Sequence, residues 1–592
     1  MKHTRILIVA IGVVSTLLLN SCGNSTERLS KRLDRQVERT LNKMTTREKV
    51  AQIIFSQTDS YIFAEEHKEK TNQLVEVEGI GGLLILQDSL PRYINRMNEL
   101  QAKSKIPLLI SIDGEWGPSM RFGEFPFFPQ QMQLGALPSD SLIYEMGLAV
   151  AQQCKMINIH INFAPVVDIN VNPKNPVIHA RSFGENRDKV TAYAAAYMQG
   201  MQDGGIIACS KHFPGHGDTE VDSHKGLPLL PFNKQRLDSL ELFPFKDQIN
   251  KGVKMIMLGH LMVPALDTTI SSISYSIITE LLKKEMGFDG LVITDALGMK
   301  AISEKLTPAE IAIASYKAGV DILLKPNDII AAIDRLELAM NTGECNIEEL
   351  NNRVRKVLRV KAEFGMFNRR YTAQIDTTNI TNRVQIPEHI ALIQQLADES
   401  ITLVKNDNNL VPLDMHKNIA YVAYNAKHIP MRREYGDIEG LSGYNPATGM
   451  IDSTTLMYQH LLNKSAMVSD NAIANIHYFP IDKKSTEEQI NELNKQLNQY
   501  DVVILACHDP RGRTKKDLIN LDHLSSLENI VKRHHPILVH FGSPYGLGNL
   551  PWHDELGAII VSYQDSESNQ KATAKVLTGD ITAVGQLPVS YK

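Results

Sequence analysis

The amino-acid sequence predicts a TIM-type (β/α)8 barrel followed by a smaller α/β sandwich domain. Three observations lead to this fold class. The chain has 592 residues, more than one hydrophobic core usually supports. Eight short apolar runs alternate with segments of helical periodicity in its first part. A polar, aperiodic stretch then separates these runs from a second, shorter series.

The composition is that of an ordinary globular protein. Hydrophobic residues make up 43%, charged residues 22%, and the formal net charge is −5. Because nucleic-acid-binding domains carry clustered positive charge, we expect no nucleic-acid partner. Nothing in the composition indicates an oligomeric state.

The first residues resemble a bacterial lipoprotein signal. Lys2 and Arg5 precede the apolar run "ILIVAIGVVSTLLL" (6–19), which is too short to span a bilayer comfortably but fits a secretory signal. It ends in "LNSC" (19–22), which resembles a lipobox and implies acylation of Cys22. We expect a signal peptide over 1–22, a tether over 23–44, and an envelope lipoprotein, facing the periplasm or the exterior, that touches the membrane only through its lipid anchor. An ordinary signal peptide is the alternative, since Asn20 departs from the usual motif.

The other four cysteines are far apart in sequence, at positions 154, 209, 345 and 507. Neither a zinc site nor a disulfide framework has such spacing. We therefore expect buried free thiols.

The eight apolar runs of the barrel are bounded by Gly, Pro or Asp, which is typical of buried strands. They are 49–55, 80–86, 106–113, 157–168, 206–215, 254–260, 289–297 and 319–326. Helical spacing follows or separates them, as at 140–156, 189–202, 309–319, 327–341 and 346–365. This predicts a barrel over 45–368.

The stretch 369–387 is polar and aperiodic, and we interpret it as a linker. Apolar runs begin again in the remainder, 388–592, and predict the α/β sandwich. They are 419–425, 501–508, 536–542 and 557–563.

Polar residues fall where the barrel strands end. They are Asp113, Asp168, Lys211, His212, His260 and Asp295, at the ends of the third to seventh predicted strands. In this fold the chemistry lies at the carboxyl ends of the strands. Salt bridges closing the barrel mouth would explain one or two such residues better than the whole set.

The stretch "KHFPGHGDTEVDSH" (211–224) carries three histidines and three acidic residues. Its Pro and Gly residues predict a loop after the fifth strand. Asp222 and His224 are two apart, which in extended backbone places both side chains on one face, so the carboxylate can orient the imidazole as a general acid/base. A metal site and an ordinary polar loop are the alternatives, although the spacing is not that of a zinc motif. We expect no metal and no cofactor.

Asp295, in "VITDALGM", follows an apolar strand. It could be the N-cap of the next helix. Alternatively, a carboxylate facing an acid/base group is the minimal equipment for glycoside cleavage.

Four motifs occur in the order found in one family: "IDGEWGPSMRF" (112–122), "ARSFGENR" (180–187), "KHFPGHGDTEVDSH" and "VITDALGM". Together they resemble glycoside hydrolase family 3, in its β-N-acetylglucosaminidase branch. The resemblance implies Asp295 as nucleophile, His224 as acid/base and Asp222 as its partner. It also implies sugar-binding roles for Asp113, Arg121, Arg181, Lys211 and His212.

The resemblance implies a retaining, exo-acting β-N-acetylglucosaminidase. Its substrate would be a carbohydrate with terminal N-acetylglucosamine, from cell-wall muropeptides or related glycans. An N-acetylglucosaminide phosphorylase, a β-glucosidase of the same family, a metal-dependent hydrolase and a non-catalytic sugar-binding lipoprotein are the alternatives. No glutamate in 388–592 marks the acid/base that family β-glucosidases take from their second domain.

Overall fold

The structure is a computed structural model. It describes residues 27–58, 65–369, 371, 373–426, 444–445, 450–451, 455–468, 475–482, 484–508 and 524–591. Cys22 and the predicted signal peptide 1–22 lie outside the described residues.

Eight short, almost wholly buried strands form the first sheet, as expected where helices cover a parallel barrel. They are β1 (Ile54–Gln57), β2 (Gly82–Ile85), β3 (Leu109–Ile112), β4 (Ile161–Asn162), β5 (Ile207–Phe213), β6 (Met255–Leu258), β7 (Leu291–Thr294) and β8 (Leu323–Leu324). All pairs are parallel, and neighbours in sequence are neighbours in space. A parallel bridge between Ile293 and Ile322 nearly closes the barrel, so the predicted fold is confirmed.

Helices surround this barrel. They are α1 (27–41), α2 (Thr46–Gln52), α3 (Glu65–Gln73), α4 (Leu90–Lys103), α5 (Gln131–Leu134), α6 (Ser141–Met156), α7 (Arg187–Asp203), α8 (Lys234–Ser239), α9 (Phe243–Asn250), α10 (Lys300–Ser303), α11 (Pro308–Ala318), α12 (Ile329–Asn341) and α13 (Ile347–Glu363). Two π-helical segments, Leu74–Glu78 and Ser276–Glu285, complete the ring. Local sequence fixes several ends: α11 starts with a capping box between Thr307 and Glu310 and stops at Gly319, which is left-handed with φ +110°.

The first predicted strand is displaced. Residues 49–55 are apolar enough for a strand, but α2 occupies the run up to Gln52. A capping box between Thr45 and Glu48 starts this helix, and its buried face produces the apolar pattern. The strand itself begins at Ile54. The other seven predicted strands and the five predicted barrel helices overlap observed elements.

A second sheet follows, with the spatial order β13-β10-β14-β15-β16-β9 once its strands are numbered along the chain. They are β9 (Thr402–Asn406), β10 (Ile419–Tyr424), β11 (Tyr444–Asn445), β12 (Met450–Ile451), β13 (Ile476–Ile481), β14 (Val502–His508), β15 (Ile537–Phe541) and β16 (Ala558–Val561). β9 runs antiparallel to β16, the other sheet pairs are parallel, and β11 and β12 form a separate antiparallel pair. The four predicted runs correspond to β10, β14, β15 and β16; β9 and β13 were not predicted.

Helices lead into and cover the second sheet. They are α14 (Ile380–Arg383), α15 (Pro387–Ser400), α16 (Leu456–Val468), α17 (Glu487–Gln496), α18 (Leu524–His534) and α19 (Glu567–Thr578). The segment before α15 packs on the barrel, because Ile375 donates its backbone N–H to Asn98 Oδ1 at 2.8 Å and Ile380 and Val384 are buried against the barrel core. It is therefore a packed connection.

Two simpler expectations concern cysteines and membranes. All four described cysteines are buried thiols outside any disulfide, as predicted. Within the described ranges, no helix combines the length and the apolar character needed to cross a bilayer.

Candidate active site

The polar residues predicted at strand ends converge on the carboxyl-terminal mouth of the barrel. Asp113 follows β3, and Asp295 follows β7. Lys211 and His212 are near the carboxyl end of β5. The β5–β6 ladder shifts register between Ser210 and Phe213 at this point. As a result, the neighbouring residues Lys211 and His212 both contact carboxylates, Asp113 and Asp168 respectively.

Lys211 occupies the centre of a buried ionic cluster. Its Nζ lies 2.8 Å from Asp113 Oδ1 and 2.9 Å from Glu115 Oε1. Arg121 Nη2 donates to the other oxygen of Asp113 at 3.2 Å. Lys211 and Glu115 are each only 2% exposed, so each charge depends on its partners.

Arg181 joins the cluster from the loop after β4. Its Nη2 donates to Glu115 Oε1 at 2.7 Å, and its Nε lies 3.1 Å from Glu115 Oε2, which makes the pair bidentate. Its Nη2 also lies 3.4 Å from His212 Nε2. We call Asp113, Glu115, Arg121, Arg181 and Lys211 the strand-end network.

Opposite charges keep the network ionised. Burial by itself would raise the pKa of Glu115, but Arg181 and Lys211 outweigh it and hold that pKa well below its ordinary value of 4.5. Burial would also raise the pKa of Asp113, but the charges of Lys211 and Arg121 outweigh it and lower that pKa. Burial would lower the pKa of Lys211, and the two carboxylates raise it instead. The network therefore presents fixed charges to a ligand.

His212 is oriented from behind by Asp168. Its Nδ1 lies 2.7 Å from Asp168 Oδ2, and its backbone N–H lies 3.2 Å from the same oxygen. Asp168 Oδ1 also accepts the backbone N–H of His216 at 2.7 Å. With Nδ1 donating to the carboxylate, Nε2 of His212 is directed toward Arg181.

Asp295 is held ionised in the mouth. Burial would raise its pKa, but the charges of His212 and His260 and a hydrogen bond from Ala296 N–H lower it overall. That bond is 2.7 Å long and ends on Oδ1. The N-cap interpretation is wrong, because the next helix, α10, begins at Lys300 with Met299 at its N-cap position.

The loop after β5 divides into a buried and an exposed part. His216 is buried, its Nδ1 lies 2.7 Å from Thr219 Oγ1, and burial lowers its pKa to about 4. His224 is 68% exposed, and its Nδ1 lies 3.0 Å from Asp222 Oδ1. We call Asp222 and His224 the dyad.

The expected hydrogen bond of the dyad exists, but extended backbone does not produce it. Asp222 Oδ1 also accepts the backbone N–H of His224 at 2.9 Å, and Asp222 O accepts the backbone N–H of Lys225 at 2.8 Å. This is a side-chain-capped turn. Burial would raise the pKa of Asp222, and the hydrogen bonds from His224 lower it instead.

Two residues at the mouth were not singled out from the sequence. Glu115 lies inside a quoted motif, but its role depends on cations far away in the chain. Lys325 directly follows β8 and is half-buried. Burial lowers its pKa, and the nearby charge of Asp295 opposes this. The strand-end rule that selected Asp295 would also have selected Lys325.

The structure thus joins Asp113, Arg121, Arg181, Lys211 and His212 in direct contact, and places Asp295 within electrostatic reach of His212. The dyad lies on a separate loop without a hydrogen bond to the strand-end network among the described residues. In the same described part of the chain, no three His, Cys, Asp or Glu side chains gather as a metal site would require.

The second domain supports one wall of the site. Tyr545 accepts a hydrogen bond from Asn170 Nδ2 at 2.8 Å, and Asn170 Oδ1 accepts the backbone N–H of His179 at 3.1 Å. Behind Arg181, Gly184 has φ +135°, and a Cβ there would lie 2.3 Å from Pro588 O. The loop that carries Arg181 is therefore packed against residues 545–588.

Family models match both halves of the chain: the glycosyl hydrolase family 3 N-terminal domain over residues 45–360, and the family 3 C-terminal domain over residues 401–592. The chain belongs to glycosyl hydrolase family 3. The family predicted from the four motifs is confirmed, and with it membership in a family of glycoside-cleaving enzymes.

Similar proteins include β-hexosaminidase A of Pseudoalteromonas piscicida, 33% identical over 386 residues, which are 59% of this chain and 63% of that relative. β-Hexosaminidase LpqI of Mycobacterium tuberculosis is 33% identical over 297 residues, 48% of this chain and 76% of the relative. The chain thus spans less than two thirds of the first of these relatives.

Solved structures share the two-domain arrangement. A family 3 β-N-acetylglucosaminidase from Paenibacillus sp. str. FPU-7 aligns over 93% of this chain and 99% of its own, with TM-score 0.74 and 26% identity. The β-glucoside phosphorylase BglX aligns over 95% of this chain and 97% of its own, with TM-score 0.78 and 20% identity, a likeness of fold alone.

Proposed function

We propose that the protein is a retaining, exo-acting β-N-acetylglucosaminidase that removes terminal N-acetylglucosamine from cell-wall muropeptides or related glycans. The observation that carries this proposal is the ionised Asp295 in a mouth that also bears an exposed imidazole hydrogen-bonded to a carboxylate. The names of the Pseudoalteromonas and Paenibacillus relatives support the sugar. A retaining glycosidase needs these two functions, a nucleophile and an acid/base.

In the first step His224 acts as the acid. Since its Nδ1–H donates to Asp222, Nε2 carries the transferable proton. Nε2 gives that proton to the glycosidic oxygen, an oxygen of Asp295 forms a bond to C1, and the C1–O bond to the aglycone breaks. Because Asp295 Oδ1 accepts from Ala296, Oδ2 is the attacking atom.

In the second step the roles reverse. Nε2 of His224 takes a proton from water, the water oxygen bonds to C1, and the ester bond to Asp295 breaks. Two inversions at C1 give net retention. The exposure of His224 fits a group that becomes covered only when a saccharide fills the mouth.

The strand-end network and His212 would bind the terminal sugar. Carboxylate oxygens of Asp113 can accept from sugar hydroxyls, while Arg121, Arg181, Lys211 and His212 can donate to hydroxyl or N-acetyl oxygens. Because the charges are already paired with one another, the sugar would meet groups that need no reorganisation.

One observation favours phosphorolysis as a second candidate. Lys325 is a half-buried cation within electrostatic reach of Asp295, and among the described residues it forms no salt bridge. An imidazole acid/base carries no negative charge in either protonation state, so phosphate could approach C1 in place of water. A sugar 1-phosphate would then be the product.

The cellular location is also a proposal. The signal-like run 6–19 and "LNSC" (19–22) support an acylated Cys22 that anchors the protein in the cell envelope. Cys22→Ser should abolish incorporation of labelled fatty acid. Retention of the label in this variant would remove the assignment.

The test of the reaction uses p-nitrophenyl β-N-acetylglucosaminide and β-glucoside with wild type, Asp295→Asn and His224→Ala. We expect wild type to prefer the N-acetylglucosaminide, to release the β anomer first by NMR, and to lose turnover in Asp295→Asn. The matched control is Asp289→Asn, an exposed carboxylate at the opposite end of β7. Preference for the glucoside, or an active Asp295→Asn variant, would refute the proposal. Added phosphate decides between the two candidates, since sugar 1-phosphate would identify a phosphorylase.

A further inference from the structure

Helix α1 carries most of its positive charges on one face. Six basic residues on this helix and the turn after it are exposed, and their spacings of three and four place them along one stripe. This basic face consists of Arg28, Lys31, Arg32, Arg35, Arg39 and Lys43. The whole protein has a formal charge of −5, so the concentration of positive charge here is local.

Two of the three carboxylates of α1, Asp34 and Glu38, point away from the basic face. Asp34 is bonded to Arg359 Nη1, and Glu38 Oε1 lies 2.7 Å from Arg355 Nε, so both are neutralised by α13. Only one cation of the basic face has such a partner: Lys31 Nζ lies 2.6 Å from Glu27 Oε1. Within the described part of the chain, the other five form no salt bridge. The basic face is therefore uncompensated.

A cleft continues this face at the carboxyl end of α1. It encloses about 290 Å³ and is lined by Arg39, Lys43, Lys105 and Val77, among others. The two acidic residues in its lining are already paired, because Glu48 Oε1 lies 3.4 Å from Lys105 Nζ and Glu78 Oε2 lies 2.8 Å from Arg47 Nε. The cleft could therefore receive a phosphate group.

This surface lies at the end of the barrel away from the mouth. The cleft residues Glu48, Val77 and Lys105 precede β1, β2 and β3, and so lie at the amino-terminal ends of the strands. Asp113 and Asp295 follow the strands at the other end. A flat partner bound to the basic face would leave the mouth open to solvent.

We propose that the basic face of α1 docks on the phosphate headgroups of an anionic phospholipid surface. Guanidinium and ammonium groups bind phosphate oxygens, and basic residues gain affinity for anionic bilayers additively. Two apolar side chains, Leu29 and Val77, are 54% and 64% exposed and could enter the interface region beside the cations. The contact does not depend on acylation of Cys22 or on the proposed enzymatic function.

The experiment uses the chain from residue 23, as expected after removal of the signal peptide, so that neither an acyl chain nor the apolar run 6–19 contributes. Binding to phosphatidylglycerol/phosphatidylcholine vesicles and to pure phosphatidylcholine vesicles is measured by co-sedimentation. The test variant changes Arg28, Arg35, Arg39 and Lys43 to Gln. The matched control changes four exposed lysines elsewhere, Lys234, Lys495, Lys532 and Lys571, to Gln.

We expect preferential binding to the anionic vesicles, which weakens as salt rises. The test variant should bind them on the order of 100-fold more weakly, while the control variant keeps most of the affinity. Equal binding to both vesicle types, or equal loss in both variants, would overturn the proposal. Binding to a DNA duplex as tight as to the anionic vesicles would also overturn the assignment to lipid. The salt and lipid dependence of the parent protein test the proposal even if the fourfold variant folds poorly.

Discussion

Two sides of the barrel mouth are built differently. Lys211 and Glu115 of the strand-end network are buried, its other three members are half-buried, and each charge touches at least one opposite charge. The dyad is one hydrogen bond on a loop, and its imidazole is largely in solvent. In the proposed function, sugar binding would use groups that are already ordered before the ligand arrives, whereas proton transfer would use a group that the ligand itself must cover. Mutations should therefore affect stability on one side and turnover alone on the other.

The largest effect is expected from Lys211→Met. Removing this cation leaves Asp113 paired with Arg121 and Glu115 paired with Arg181, without the cation that joined them. Because Glu115 is buried, the loss of one of its two cations should lower the free energy of unfolding by about 3 kcal/mol. kcat/KM should fall by at least about 100-fold, since the binding groups lose their arrangement. Urea unfolding and steady-state kinetics measure the two effects. Lys225→Met, at an exposed residue beside Asp222, should change neither by much; a Lys211→Met variant as stable as this control would contradict the comparison.

His224→Ala should show the opposite pattern. We expect kcat to fall about 100-fold with a poor leaving group, because general acid assistance is lost. The free energy of unfolding should stay within about 0.5 kcal/mol of wild type, since the side chain is exposed. Aryl glycosides of graded leaving-group acidity provide the measurement. Equal losses with good and poor leaving groups would exclude an acid role.

Lowering the pH should weaken the contribution of the strand-end network to the free energy of unfolding. The pKa values of Glu115 and Asp113 are lower in the folded protein than in the unfolded chain. Their contribution to stability is therefore present above the ordinary values of 4.5 and 3.8 and is lost as pH falls from there toward the folded values. Each extra proton bound by the unfolded chain corresponds to about 1.4 kcal/mol per pH unit.

The change Glu115→Gln should flatten this dependence below about pH 4.5 while lowering stability at neutral pH. The check is unfolding by urea between about pH 3 and pH 7. Glu304→Gln, at an exposed position, is the control. Parallel curves for wild type and Glu115→Gln would show that Glu115 does not contribute through its charge.

The smallest effect should come from Asp222→Asn. A partly exposed ion pair stabilises by up to about 1 kcal/mol, so kcat should fall about five-fold and stability should barely change. Adding His224→Ala to this variant should produce the loss of His224→Ala alone. A double variant with the product of both losses would show that Asp222 acts independently of His224.

Local sequence predicted the strands and the residues at their ends because both depend on short apolar runs with a polar stop. Asp113, Lys211 and Asp295 were found in this way. The same pattern misplaced the first strand, because one buried face of α2 resembles a strand. β9 and β13 were missed: only the first residue of β9 is buried, and β13 is buried only at its ends.

Contacts between residues far apart in the chain could not be predicted from the sequence. Glu115 receives Arg181 and Lys211, which are 66 and 96 residues away, and neither interval predicts a contact. The dyad was predicted for a partly wrong reason, since a turn brings Asp222 to His224. These geometries depend on how loops pack over the barrel, which residue spacing alone does not specify.

The contact between Tyr545 and Asn170 means that substitutions in the second domain can change one wall of the barrel mouth. The second domain provides no member of the strand-end network, yet it holds the loop that fixes the position of Arg181, and a side chain at Gly184 would push against Pro588. Residues 401–592 therefore help position, from outside the barrel, the loop that forms one wall of the mouth. A barrel made without them would lose the outer support for one wall of the mouth.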